Sequence, residues 1–393
     1  METSFKMEEK MISEKDLAEV RHRDFLNRVN HYDDFKDIPT ELLLGSEQTE
    51  PVFLTIIIPV YDHPWEFIRR AIDSVLRQNC TYSYRLLVID DFAGGDATQT
   101  ECFLRQQKDS RVLYYKNKEN LGVFGNWNRA ISLAHSTWIT LLHSDDFYKD
   151  NYLQNMCDIV NSHPEIDQLA CHYKKLDFLN DTIDIQKECR GHDGERIVRR
   201  VKACEYLYEM KTSVKGAFYK KEKLIEIGGF RSQGDGIGLD DWPLMLCFAH
   251  FFNTYLLEDV LYLNSWAHND SLNTKHWYPE LVENYYMWLY FADKENRFLR
   301  LIYRKAAKCL LLERARIYKS GKSWVGVPIE IDYEQLRKDC ELDSVRINRL
   351  WELVSFCLVK VNGFFRKRPF EKFKVRIRTA SVNTGRERED THE

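Results

Sequence analysis

Residues 54–91 read LTIIIPVYDHPWEFIRRAIDSVLRQNCTYSYRLLVIDD. The first eight positions form a continuous apolar run rich in β-branched residues, the signature of a strand buried on both faces. WEFIRRAIDSVLRQ then places its apolar residues at helical spacing, and YRLLVIDD is a second buried run. Together they predict a β-α-β unit. Working outward, the pattern repeats through a helix near Thr98 to Gln107, a strand RVLYYK, a helix GNWNRAISLAH and a strand WITLL (138–142). Four strands alternating with helices predict the α/β class: a Rossmann-like, mostly parallel sheet flanked by helices and joined by right-handed crossovers.

On either side of this block the texture changes. Residues 1–50 read as a helical extension, with a helix around Glu14 to Val29 and a looser link from Asp34 to Pro51. Beyond Tyr152 a helix, a strand near Gln168 to Leu176 and a polar excursion to about Arg200 precede renewed strand and helix signals over 216–266. Everything after Trp277 reads as helical, with amphipathic stretches at Leu281 to Ala292 and Arg297 to Tyr318. Units of 1–50, 51–275 and 276–393 are therefore expected, without internal repeats.

At 393 residues the chain is long enough for two or three domains. Its 30% charged and 44% apolar content is that of a globular protein, and a net charge of -4 gives no general attraction to nucleic acid. Ten cysteines without a CxxC pair fit neither a zinc knuckle nor a disulfide framework, so reduced thiols in a cytoplasmic setting are expected. The charged N-terminal stretch lacks the apolar core of a secretory signal. The longest apolar stretch, LWELVSFCLVKV (350–361), is too short to span a bilayer and is interrupted by Glu352 and Lys360.

In a parallel sheet the loops at the carboxyl ends of the strands line the ligand crevice. Three of those ends carry Tyr61-Asp62, Asp90-Asp91 and Asp145-Asp146. Carboxylates on one rim repel an anion unless a cation lies between, and hard cations such as Mg²⁺ or Mn²⁺ choose oxygen ligands. The other reading of Asp145-Asp146 is that it caps the helix starting near Asn151. PVYDHPWE has none of the glycines of a dinucleotide-binding loop, and no Walker lysine motif occurs. Tyr61 suits stacking on a base whose imide N–H Asp91 accepts; equally, Tyr61 fits a core aromatic and Asp91 a turn former before Gly94-Gly95. GGFRSQGDGIGLDDWPLML (228–246) brings Asp240-Asp241 and Trp242 to a helix start. An ionised Asp241 there could deprotonate a hydroxyl, or simply cap the helix. Lastly, FFRKRPFEKFKVRIR (364–378) interleaves seven basic residues with four aromatics, a composition suited to an anionic membrane surface, to RNA or to a solvated tail.

Taken in order, these segments resemble the family 2 glycosyltransferases, inverting enzymes of the GT-A fold, over about Leu54 to Thr274. TIIIPVYDHP resembles the opening nucleotide-binding strand, and LLVIDDFAGGDAT the strand whose aspartate, here Asp91, contacts uracil. NLGVFGNWNRAISLAHSTWITLLHSDD is similar to the segment leading to the metal-binding aspartates. GGF followed by DDW is similar to the acceptor motif with its catalytic base, and SWAHNDSLNT to a closing His-x-x-Ser segment.

The resemblance implies donor contacts from Pro59, Tyr61, Asp91, Asn120, Gly122, Asn126 and Asp145. It implies a Mg²⁺ or Mn²⁺ held by Asp146 with Asp145 and His268, acceptor contacts from Asp240 and Trp242, and Asp241 as base. The nucleotide-binding half would be 51–150 and the acceptor-binding half 151–275. Three positions depart from the pattern: His143 stands where a further aspartate is common, Gly94-Gly95 replaces Ser-Thr, and Asp240 replaces Glu. The implied activity is transfer of a sugar from a nucleotide-sugar donor, UDP-linked, to a glycan or lipid-linked glycan in cell-surface polysaccharide synthesis. Nucleic acid is not an expected partner. A peripheral contact with the cytoplasmic face of the membrane is expected through 363–378, because such enzymes often extend lipid-borne glycans. A silent nucleotide-sugar-binding or scaffolding subunit is the alternative.

Overall fold

The computed structural model describes residues 12–27, 30–46, 50–92, 97–207, 212–230, 241–266, 277–323, 328–342, 350–351, 353–354, 357 and 371–378. The chain opens with α1 (Glu14–His22), a one-turn α2 (Tyr32–Phe35) and β1 (Thr40–Leu44). Then come β2 (Val52–Val60), α3 (Trp65–Leu76), β3 (Tyr84–Asp90), α4 (Ala97–Gln107), β4 (Val112–Asn117), α5 (Gly122–Leu133) and β5 (Ser136–Leu141), the alternation expected from the sequence. A second half contains β6 (Phe147–Tyr148), α6 (Tyr152–Ser162), β7 (Gln168–Asp177), α7 (Ile185–Cys189), β8 (Gly194–Val201), β9 (Phe218–Lys220), α8 (Lys221–Glu226), α9 (Asp241–Phe251) and β10 (Thr254–Trp266). Finally α10 (Trp277–Asp293), α11 (Arg297–Lys319) and α12 (Tyr333–Asp339) precede a last strand, β11 (Lys372–Ile377).

β2 shows why the sheet is covered on both sides. Leu54, Ile56, Ile58 and Val60 point into one apolar cluster, where α3 contributes Ile68, Ala71, Ile72 and Val75 at i, i+3, i+4 and i+7. Ile57 points the other way, into the cluster that receives Trp127, Ala130 and Ile131 of α5. Each such fully buried aliphatic side chain contributes about 1.5–3 kcal/mol relative to exposure. β2, β3, β4 and β5 pair in parallel, as predicted.

The sheet then continues past β5 in the order β1-β4-β3-β2-β5-β9-β7-β10-β8-β11, with β6 pairing on β10. β7 and β10 are parallel, whereas β9, β8 and β11 run antiparallel to their neighbours. The C-terminal helices α10 and α11 join the cluster that also holds Trp242 and Phe248 of α9.

Three sequence expectations need correction. The link before Pro51 contains β1, which pairs antiparallel with β4. The polar excursion before Arg200 contains α7 and β8. The region beyond Trp277 is not wholly helical, because β11 closes the sheet on β8. The 1–50 and 276–393 segments thus each supply an edge strand to the sheet of the central unit.

Alternation in β11 turns Phe373, Val375 and Ile377 inward and Lys372, Lys374 and Arg376 outward. Phe373 stacks on His163 with ring centroids 3.7 Å apart, and Ile377 is buried. Phe373 is thus half-buried, packed against the margin of the core through His163. Residues 363–370 of the basic patch lie outside the described residues. Among the described residues no helix is long and apolar enough to cross a membrane.

Candidate active site

The rim forms because adjacent parallel strands end together. Val60 is in register with Asp90, and the Asp91 amide donates to the Val60 carbonyl at 2.9 Å. This places Tyr61 and Asp91 side by side just past the ends of β2 and β3. Tyr61 is 53% exposed, as a ring waiting for a planar partner would be, and Pro59 lies within β2 behind it.

Two more apolar side chains stand out on neighbouring loops: Phe92, 55% exposed with φ of 61°, and Val123, 50% exposed at the start of α5. Sequence reasoning missed both. A bulky residue at positive φ is rare, which marks the Phe92 turn as a special geometry.

Asp91 is buried, and burial raises its pKa. Its Oδ1 accepts from Asn117 Nδ2 at 3.0 Å and from the Leu121 amide at 2.8 Å. Asn117 Nδ2 also donates to Asn126 Oδ1 at 2.9 Å, so Asn126 acts through Asn117 to hold the carboxylate. Asn120 Oδ1 accepts from the Gly122 amide at 2.9 Å and shapes the turn into α5, where Gly122 has φ of 70°. Asn128, two residues beyond Asn126, clamps the GGF segment: it donates to the Phe230 carbonyl at 2.7 Å and accepts from the Phe230 amide at 2.8 Å. The two sequence motifs thus meet in space.

After β5 the two aspartates differ sharply. Asp146 has no solvent exposure, and both its oxygens are engaged. Oδ2 accepts from Tyr262 Oη at 2.6 Å; Oδ1 accepts from the Ser265 amide at 2.8 Å and from Asn264 Nδ2 at 3.0 Å. The Lys215 ammonium stands 3.4 Å from Oδ2. Gly216, at φ of 61°, permits this approach, since a Cβ there would lie 2.5 Å from the Tyr262 ring.

Asp145 is buried beside Asp146, and desolvation first, then that neighbouring charge, pushes its pKa up to about 7. Its carbonyl accepts from Arg70 Nη2 at 3.1 Å, and the same nitrogen donates to Ser265 Oγ at 2.8 Å. Arg70 is itself wedged among Phe67, Phe147 and Phe178, and burial lowers its pKa to about 10, so it stays cationic at neutral pH. His63 Nδ1 and Ser144 Oγ share a 2.6 Å hydrogen bond.

His143 completes the cluster. One ligand atom each from His143, Asp145 and Asp146 lie within 4.8 Å of one another. Burial, with Lys215 and His63 nearby, holds the His143 pKa well below its ordinary value and keeps the ring neutral. Its Nε2 is buried with no hydrogen-bond partner among the described residues. A neutral imidazole with an orphaned nitrogen next to carboxylates is a donor set that fits a divalent cation.

Asp240 and His268 lie outside the described residues, as does the Asp241 side chain, although its backbone begins α9. Trp242 is buried in the core: its indole N–H donates to the Tyr206 carbonyl at 2.7 Å and Arg314 covers its ring. Lys215, Arg70, Asn117, Tyr262 and Asn264 carried no motif signal: Tyr262 and Asn264 lie on β10, Lys215 on the approach to β9, Arg70 on α3 and Asn117 at the end of β4, each reaching its partner across the fold.

Residues 55–228 match the family described as Glycosyl transferase family 2. The match covers somewhat less than half of the chain, and over those residues the chain is similar to this family. An uncharacterized glycosyltransferase of Methanocaldococcus jannaschii is 24% identical over 144 residues, 36% of this chain and 47% of that protein. The Escherichia coli UDP-Glc:alpha-D-GlcNAc-diphosphoundecaprenol beta-1,3-glucosyltransferase WfaP is 27% identical over 126 residues, 32% of this chain and 48% of that protein. The chain spans less than half the length of these curated relatives. Among solved structures, residues 1–349 of S. aureus TarS in complex with UDP-GlcNAc align with a TM-score of 0.51 at 12% identity, covering 80% of this chain and 91% of that one. The fold is thus the GT-A type expected for a family 2 glycosyltransferase.

Proposed function

We propose that this chain is a family 2 glycosyltransferase that moves a sugar from a UDP-linked donor to a hydroxyl of a glycan or lipid-linked glycan, with inversion at the anomeric carbon. The observation that carries the reading is that Tyr61, Asp91 and the His143–Asp146 cluster each follow the carboxyl end of one of three adjacent parallel strands, β2, β3 and β5. Tyr61 would stack on the base while Asp91, held by Asn117 and the Leu121 amide, accepts its imide N–H. The UDP donor and lipid-linked acceptor follow the name of WfaP, and cell-surface polysaccharide synthesis is the setting that such an acceptor suggests.

His143 and Asp145 would hold the Mg²⁺ or Mn²⁺, with Asp146 as the buried anchor of the loop. When bound, the ion neutralises charge on the departing diphosphate. Asp241, at the start of α9, would take the proton of the acceptor hydroxyl as that oxygen attacks opposite the nucleotide. Asp240 and His268 would border the acceptor and the diphosphate, respectively.

Asp241→Asn is the deciding variant. Turnover should fall by at least about a hundredfold while donor binding, read by calorimetry with UDP-sugars, is retained. Undiminished turnover would remove Asp241 from the mechanism, and no turnover in the natural chain with any nucleotide sugar would favour a silent binding subunit.

A further inference from the structure

We propose that His143 is a direct ligand of the cation through Nε2, so that this site favours first-row transition ions over Mg²⁺. The inference rests on the reading above, in which a cation occupies the rim beside the donor diphosphate. Three observations support it. Buried polar atoms in proteins are nearly always paired, yet His143 Nε2 is buried and has no hydrogen-bond partner among the described residues. The imidazole lies against Trp127, ring centroids 5.1 Å apart, which limits its freedom to turn elsewhere. Finally, of the three groups clustered within 4.8 Å, Asp146 already has both oxygens engaged by β10. Coordination by the chain then falls to His143 and Asp145.

This composition has a chemical consequence. Mg²⁺ demands near-ideal octahedral oxygen coordination and gives up water reluctantly, whereas ions of the Mn²⁺ to Zn²⁺ series accept imidazole nitrogen readily. Two protein donors also leave most of the coordination sphere to diphosphate oxygens and water, so the ion should bind tightly only when a diphosphate is present.

Mn²⁺ with inorganic pyrophosphate is the probe, applied to the full chain. Electron spin-echo spectroscopy should show ¹⁴N coupling from a bound imidazole, and labelling the chain with ¹⁵N-histidine should replace it with the ¹⁵N pattern without any mutation. His143→Gln should lose the coupling and weaken Mn²⁺ binding by about tenfold or more. His143→Asp should also lose the coupling, but retain binding and narrow the preference for Mn²⁺ over Mg²⁺ measured by competition. Mn²⁺ bound without histidine coupling, or coupling that persists in His143→Gln, would overturn the assignment while leaving the cation site standing. If no Mn²⁺ binds the natural chain in the presence of pyrophosphate, the cation-assisted reading itself falls, and this inference with it.

Discussion

Asp145 and Asp146 are neighbours in the chain that face opposite demands. Asp146 gives both oxygens to Tyr262, Asn264 and the Ser265 amide, with Lys215 alongside. Truncating it to Ala would leave these groups and a lysine charge without their carboxylate, a loss of about 3–5 kcal/mol for a buried charged partner. Asp146→Ala should therefore unfold at markedly lower urea than the natural chain, with Asp146→Asn between the two. Equal midpoints would deny Asp146 its anchoring role.

Asp145 behaves in the reverse sense. Its pKa of about 7 lies above the ordinary 3.8, so the folded chain binds this proton more readily than the unfolded one. The associated stability is fully present below about pH 3.8 and is lost as pH rises through about 7. Metal-free Asp145→Asn should melt higher than the natural chain at about pH 8, by up to about 4 kcal/mol in stability, with the gap narrowing toward acid. A melting difference independent of pH would contradict this. A residue that limits stability at neutral pH is then one that the proposed chemistry requires.

Legibility from sequence divides at the level of elements. β2, β3 and β5 were readable because long apolar runs alternate with amphipathic helices, and parallel connectivity brings their ends to one rim. That logic put Tyr61, Asp91 and Asp145 just beyond strand ends, and β2, β3 and β5 do end before them. It assigned Asp146 to the cation but gave no sign of its partners on β10, which are remote in sequence and carry no motif. β1 was missed because TELLL is a short edge strand. β11 was missed for a different reason: KFKVRI alternates at period two, but its cationic composition drew the reading toward a surface tail.

The inward side of β11 makes a testable claim at this same scale. Ile377 is buried and Phe373 packs on His163 and Tyr255. Ile377→Ala should cost about 2–5 kcal/mol, read by urea unfolding, whereas Lys374→Ala on the outward side should leave the midpoint nearly unchanged because its ion pair with Glu195 is exposed. Similar losses for both would show that β11 does not pack as described.

For the molecule as a whole, ligand linkage gives the broadest test. A nucleotide sugar that binds only the folded chain raises its melting temperature by mass action. A screen of nucleotide sugars with and without Mn²⁺ should give its largest shift for a UDP-sugar with the ion present. A larger shift from a guanine or thymine nucleotide sugar would redirect the donor assignment, and shifts indifferent to Mn²⁺ would separate donor binding from the cation.

The pairing of β11 with β8 has a consequence for biogenesis. During synthesis β8 emerges long before its partner, with the whole of α10 to α12 still to be translated, so one border of the nascent sheet stays open meanwhile. An open strand border is a template for wrong partners, and such non-local pairing is slow to form. Newly made chains should therefore depend on chaperones until the final strand has docked.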